Sequence, residues 1–244
     1  MKLIYFLLFL NLNISNSFIL NYKMSFLDKK MKNVHVVQKD IPKTYLKCAI
    51  FFTGGSGFAG YRIYKDFLNI LAIKDISIYV PSFNYNNINN LIEILKSEYD
   101  EVILIGHSSG CSSLLNNCNL DNIKKIILLD PVNTRLINKD KNKYILSNSN
   151  NVLFITAEKS YKITFDPFGL PFIPGFVKLN NESIICNNSI KYYIYPNNGH
   201  TDILNKNLSN FMHYSRASVG DKQRNVYNYH RKVGKNIYDF IYGI

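Results

Sequence analysis

The 244-residue chain is 47% apolar and 19% charged, enough for one domain-sized core and unlike a disordered or repetitive polymer. Lys and Arg outnumber Asp and Glu by 29 to 17, giving a formal charge of +12. Residues 1–50 carry eight Lys against Asp28 and Asp40, and residues 213–244 carry six Lys and Arg against Asp221 and Asp239, which leaves the body close to neutral. A nucleic-acid enzyme would set a basic stripe across its catalytic body, so that partner is not expected; charge confined to the ends fits targeting or peripheral contact with an anionic membrane surface.

The N-terminus reads as a signal peptide over residues 1–17: Lys2, the apolar run Leu3 to Leu10, then a polar region ending Ser15-Asn16-Ser17, with cleavage before Phe18. The apolar run falls well short of the roughly 20 residues a spanning helix needs. Residues 18–47 form a basic, acid-poor leader or extension, with Lys23, Lys29, Lys30, Lys32, Lys39 and Lys43. A signal peptide followed by such a stretch resembles the two-part leaders of proteins sent to plastids bounded by extra membranes; simple secretion is the competing reading.

From there short β-branched runs alternate with helical patterns, which predicts an α/β domain with a mostly parallel central sheet flanked by helices on both faces, its main body spanning 48–244. Strands are expected at 34–37, 48–52, 76–80, 102–105, 125–129, 152–156 and 191–195. Helices are expected at 61–72, 87–97, 109–117, 201–213 and 221–242. In such sheets ligands bind beyond the carboxyl ends of the strands, so the polar residues just after each strand are the ones to inspect.

After the strand at 48–52 comes Thr53-Gly54-Gly55-Ser56-Gly57-Phe58-Ala59-Gly60, whose glycines permit close backbone approach. The loop lacks the Gly-Lys-Ser/Thr ending of a phosphate loop, and no strand-end acid follows at dinucleotide-binding spacing. After the strand at 102–105 comes Gly106-His107-Ser108-Ser109-Gly110, the G-x-S-x-G pattern of a nucleophile on a sharp strand-to-helix turn. It points to a serine hydrolase with Ser108 as nucleophile. The oxyanion then needs two backbone donors, for which the N–H groups of Ser109 and Gly55 are the candidates.

Asp130 follows the strand at 125–129 and is the candidate acid, with Glu158, at the end of the next strand, as the alternative and Asp166 a weaker one. His200, in the loop Asn197-Asn198-Gly199-His200 after the last strand, is the candidate base. His107 reads as a neighbour rather than the base, and Asp202 as a helix cap. The four cysteines, Cys48, Cys111, Cys118 and Cys186, have no metal spacing, and no metal or cofactor is expected. Seven residues apart on one helix, Cys111 and Cys118 stand ~10 Å from each other, beyond the roughly 7 Å a disulfide spans, so they read as packing residues.

Gly106-His107-Ser108, Leu129-Asp130-Pro131-Val132 and Gly199-His200-Thr201-Asp202-Ile203-Leu204 together resemble the chlorophyllase branch of the α/β-hydrolases, near the platelet-activating-factor acetylhydrolases and dienelactone hydrolases. The resemblance spans residues 48–206 and implies Ser108, Asp130 and His200 as the triad. It also implies hydrolysis of the phytyl ester of chlorophyll without a cofactor. The chain departs from that branch at Thr53, where a His is usual, and at Ser109 and Cys111, which replace the Arg and second Gly of G-H-S-R-G-G. A lipase or acetylhydrolase on lipid or short-chain esters is the alternative within the class, and an inactive hydrolase-fold binding protein the alternative outside it. The substrate, a hydrophobic ester, would be held by the loops 132–151 and 159–189, where Phe165, Phe168, Leu170, Phe172, Ile173 and Phe176 form an apolar run.

Overall fold

In the computed structural model the described residues are 33–38, 47–55, 60–72, 76–82, 85–134, 144–147, 150–159, 176–179, 181–186, 188, 190–214 and 220–244. Seven strands form the central sheet: β1 (Val34–Val37), β2 (Lys47–Phe52), β3 (Ser77–Pro81), β4 (Glu101–His107), β5 (Lys125–Leu129), β6 (Asn151–Ala157) and β7 (Ile190–Tyr195). Their order is β1-β3-β2-β4-β5-β6-β7, with β1 antiparallel to β3 and the other neighbours parallel. The sheet therefore takes in Val34–Val37, ahead of residue 48 where the sequence places the start of the domain body.

The five inner strands, β2 to β6, are buried on both faces, which explains why they read as unbroken apolar runs rather than alternating ones, while β7 at the edge leaves Tyr192, Tyr193 and Ile194 exposed. Register sets Phe51 beside Ile105, Ile105 beside Ile127 and Ile127 beside Leu153, one continuous apolar row across four strands. That row packs with Phe67, Leu68 and Leu71 of α1 (Lys65–Ala72) and with Tyr229, Val233, Ile237 and Ile241 of the C-terminal helix (Val226–Tyr242). The spacing of four along the C-terminal helix is the stripe a surface helix turns to a core. One residue out of phase, Ile50, Leu104, Ile126 and Val152 line the opposite face and are completely buried there.

Two helices cover that second face, α2 (Ile88–Glu98) and α3 (Ser109–Asn117). A Cβ placed on Gly106 would lie 2.8 Å from Cys111 Cα, so glycine is what lets α3 settle onto β4. The two helices are joined by Asn89, whose Nδ2 donates to Asn117 O and whose Oδ1 accepts from Asn119 N. The expected helix over 201–213 is instead a 3-10 turn, His200–Ile203, and α4 (Lys206–Tyr214), parted at extended Leu204, with Asn205 Oδ1 capping Leu208 N. The C-terminal helix, α5, starts at Val226 rather than 221 because Asn225 Oδ1 accepts from Asn228 N and caps it there.

Within the two segments expected as pocket loops, Val132–Thr134 pairs with Phe176–Lys178 and Tyr144–Ile145 with Ile184–Ile185. Phe165, Phe168, Leu170, Phe172, Ile173 and Asp166 lie outside the described residues, as do the signal peptide and most of the basic leader. Among the described residues no helix is long and apolar enough to cross a membrane. All four cysteines are free; Cys48 and Cys111 are buried, Cys118 and Cys186 partly so.

Candidate active site

Because β2, β4, β5 and β6 run parallel and in register, the residues that follow them converge on one edge of the sheet. Ser108 occupies the turn between β4 and α3 at φ 57° and ψ −132°, a conformation that costs a non-glycine residue on the order of 1–3 kcal/mol. The cost is met locally: Ser108 N donates to Leu129 O, while Ser108 O accepts from Cys111 N and Val132 N. Gly110 is required for a different reason, since a Cβ there would sit 2.3 Å from Phe52 O. The two glycines of the motif thus let β2, β4 and α3 meet.

Asp130, one residue beyond β5, also has positive φ, 43°, and its N–H donates to Ile155 O at 2.6 Å. That turn aims its carboxylate along the sheet edge. Oδ1 accepts from Thr156 Oγ1 at 2.8 Å and from Ala157 N at 3.2 Å, and Oδ2 accepts from His200 Nδ1 at 2.5 Å. His200 Nε2 in turn lies 2.8 Å from Ser108 Oγ. Ser108, Asp130 and His200 are 7%, 4% and 6% exposed, so this chain of hydrogen bonds is shielded from bulk water. With the carboxylate fixing the proton on Nδ1, Nε2 is free to accept the serine proton.

The structure thus brings together Ser108, Asp130 and His200. Glu158, the alternative acid, is exposed at the end of β6, and the acid position against Nδ1 is filled by Asp130. Ser109 is buried as the first residue of α3, where the helix dipole favours negative charge. Gly55 is exposed at φ 63° in the loop after β2. Beside this loop a cavity of about 420 Å³ opens between Phe52, Thr53, Ser82, Tyr85, Asn87 and Ser113. Among the described residues there is no cluster of three or more His, Cys, Asp or Glu that could hold a metal.

Two groups outside the sequence expectation complete the site. Asp202, read as a helix cap, does accept from Gly199 N at 3.0 Å, but it is fully buried and also accepts from Ser209 Oγ, Gly220 N and Asn198 Nδ2. Its Oδ1 pairs with Arg224 Nε at 2.5 Å, so the loop bearing His200 is clamped by a residue 22 positions away. The other group is Tyr64, whose hydroxyl lies 2.7 Å from His107 Nδ1, while His107 Nε2 lies 3.2 Å from His200 O. No spacing in the sequence marks either partnership, because both close across the fold. Of the other histidines whose side chains are described, His35 stacks on Tyr61 and His230 is buried in α5 with Nε2 on Asp202 O, so neither contacts Ser108.

No protein-family model and no curated protein sequence matches the chain. Solved structures do. The esterase domain of a Rhodothermus marinus protein superposes with a TM-score of 0.51 over 85% of this chain and 97% of its own, at 9% identity. Est1E from Butyrivibrio proteoclasticus, solved with ferulic acid bound, gives 0.53 over 86% and 94% at 12% identity. A sugar hydrolase from Lactococcus lactis gives 0.52 over 85% and 92%, also at 12% identity. At such identities the likeness is one of fold, and that fold is the α/β-hydrolase fold.

Proposed function

We propose that this α/β-hydrolase-fold protein is a serine carboxylic-ester hydrolase with Ser108 as nucleophile, His200 as general base and Asp130 as its orienting acid. The observation that carries the reading is the buried line from Ser108 Oγ to His200 Nε2 and from His200 Nδ1 to Asp130 Oδ2. In this scheme Ser108 Oγ attacks the ester carbonyl carbon as its proton passes to His200 Nε2. The carbonyl oxygen becomes an oxyanion facing the Ser109 and Gly55 N–H groups. Collapse of that intermediate expels the alcohol, which takes the proton from His200. Water then attacks the acyl-enzyme by the same route and frees Ser108.

A hydrophobic ester is the substrate class, and the motif resemblance makes the phytyl ester of chlorophyll its most specific member. The second reading within the class is a lipase- or acetylhydrolase-type esterase acting on lipid or short-chain esters.

A fluorophosphonate probe tests the class. The wild type is expected to label at Ser108 and Ser108→Ala to remain unlabelled; a folded wild type that does not label makes the chain an inactive hydrolase-fold binding protein. Turnover of chlorophyll, phospholipid and p-nitrophenyl esters of increasing chain length then ranks the substrates.

A further inference from the structure

The loop after β2 and the loop after β7 both reach Ser108, and a single buried hydrogen-bond chain links them. Gly54 N donates to Tyr64 Oη at 2.9 Å, Tyr64 Oη contacts His107 Nδ1 at 2.7 Å, and His107 Nε2 contacts His200 O at 3.2 Å. The direction of this chain is fixed at one end by chemistry. A carbonyl oxygen only accepts, so His107 Nε2 carries the proton; in a neutral ring Nδ1 is then an acceptor, and the tyrosine hydroxyl must donate to it. That hydroxyl keeps a lone pair for the Gly54 N–H. Every donor along the path has an acceptor.

The surroundings hold this arrangement in place. Tyr64 is 1% exposed, its ring edge-on to Phe51 at 5.1 Å and to His107 at 5.5 Å. Burial raises the phenol pKa, so the hydroxyl stays a donor. Burial, and then the neighbouring His200, hold the His107 imidazole pKa down to about 3, so it stays neutral while its ring lies 4.8 Å from that of His200. A Cβ on Gly54 would meet Ser108 Cβ at 2.9 Å and Tyr64 Oη at 2.9 Å. The loop backbone therefore runs directly against the nucleophile, and where Gly54 sits decides where the next amide, that of Gly55, points.

We infer that Tyr64 and His107 are positioning residues that set the oxyanion loop and the His200 backbone in one register around Ser108, so that donor and base are aligned together. The inference rests on the esterase reading above. Neither side chain touches the reacting atoms. Tyr64 acts through Gly54 on the oxyanion amide at Gly55, and His107 acts through the His200 carbonyl on the base. The motif histidine, which the sequence marks only as a neighbour of the nucleophile, thereby has a defined task.

The test is steady-state hydrolysis of p-nitrophenyl acetate by the wild type, Tyr64→Phe, His107→Gln and the double variant, each at a temperature below its own melting midpoint. Tyr64→Phe keeps the ring and removes only the hydroxyl. Because a misplaced oxyanion donor costs the transition state more than the bound ester, kcat is expected to fall about 10- to 100-fold with KM changed less than about threefold. The two substitutions break one chain, so the double variant is expected to lose no more than the worse single one. His107→Asn is the further check: its side chain can reach Tyr64 but not the His200 carbonyl, and it too is expected to lose kcat.

An active wild type whose Tyr64→Phe variant keeps its kcat, with only a lower melting temperature, overturns the inference. So does a double variant whose losses multiply. A wild type that neither labels with a fluorophosphonate nor turns over any ester overturns the esterase reading first, and the positioning role with it.

Discussion

His107 makes acid stability a measure of the site. In the folded chain its pKa is depressed to about 3 from an ordinary value of 6.5, because the ring is buried and faces His200. Between those limits the unfolded chain binds a proton that the folded chain refuses, so the unfolded state gains as pH falls. The contribution is fully present above pH 6.5 and is lost by ~1.4 kcal/mol per pH unit below it, reaching close to 3 kcal/mol at pH 4.5. Burial lowers the pKa of His230 and His35 as well, and they add to the same trend. Comparison with His107→Gln, which has no ring to titrate, isolates the one residue. Urea unfolding at pH 7.0 and pH 4.5 is the assay. The wild type is expected to lose about 3 kcal/mol more than the variant between the two pH values, with the urea m-value unchanged. Equal losses in the two proteins would mean that His107 takes up a proton in the folded state, and the neutral, one-directional hydrogen-bond chain through Tyr64 would fall.

Three further outcomes follow from distances already given. Asp130→Asn is expected to lower esterase kcat by roughly 10³–10⁴ because the amide no longer holds the His200 tautomer, whereas exposed Glu158→Gln stays within about twofold; the reverse pattern in p-nitrophenyl acetate turnover would move the acid to β6. Asp202→Asn leaves the Arg224 guanidinium buried without its counter-charge, and urea melts are expected to show a loss of about 3–5 kcal/mol. Gly110→Ala forces a methyl to 2.3 Å from Phe52 O and should cost about 3 kcal/mol, while Gly60→Ala, with nothing within 4 Å, leaves the thermal midpoint nearly unchanged.

The sheet is legible in the sequence because each central strand is buried on both faces and so appears as a β-branched apolar run. Ile103 to Ile105 and Ile126 to Leu129 could hardly be anything else, and their ends fall within two residues of expectation. The candidate site residues are legible for a related reason: a parallel sheet delivers whatever follows its strands to one edge, where the G-x-S-x-G pattern marks Ser108 and where Asp130 and Glu158 are both offered as the acid until the geometry separates them. The breaks are harder to see. Asn205 and Asn225 each restart a helix by capping it, yet in a chain so rich in Asn these two carry no distinguishing mark. Least visible are contacts closed by the fold itself. Tyr64 meets His107 across 43 residues, and Arg224 meets Asp202 across 22, with no periodicity to connect them.

The clamp on the base has a consequence for how the protein comes into being. A chain leaving the ribosome presents Ser108 and Asp130 first and His200 well after them, but the groups that hold the His200 loop, Gly220 and Arg224, emerge later still. A single domain folds as a unit, while its N-terminal residues leave the ribosome first. A nascent chain paused at residue 205 would therefore own Ser108, Asp130 and His200 and still have an unanchored His200 loop. On the proposed esterase reading, hydrolysis would begin only once the segment through Arg224 had cleared the exit tunnel and closed over Asp202.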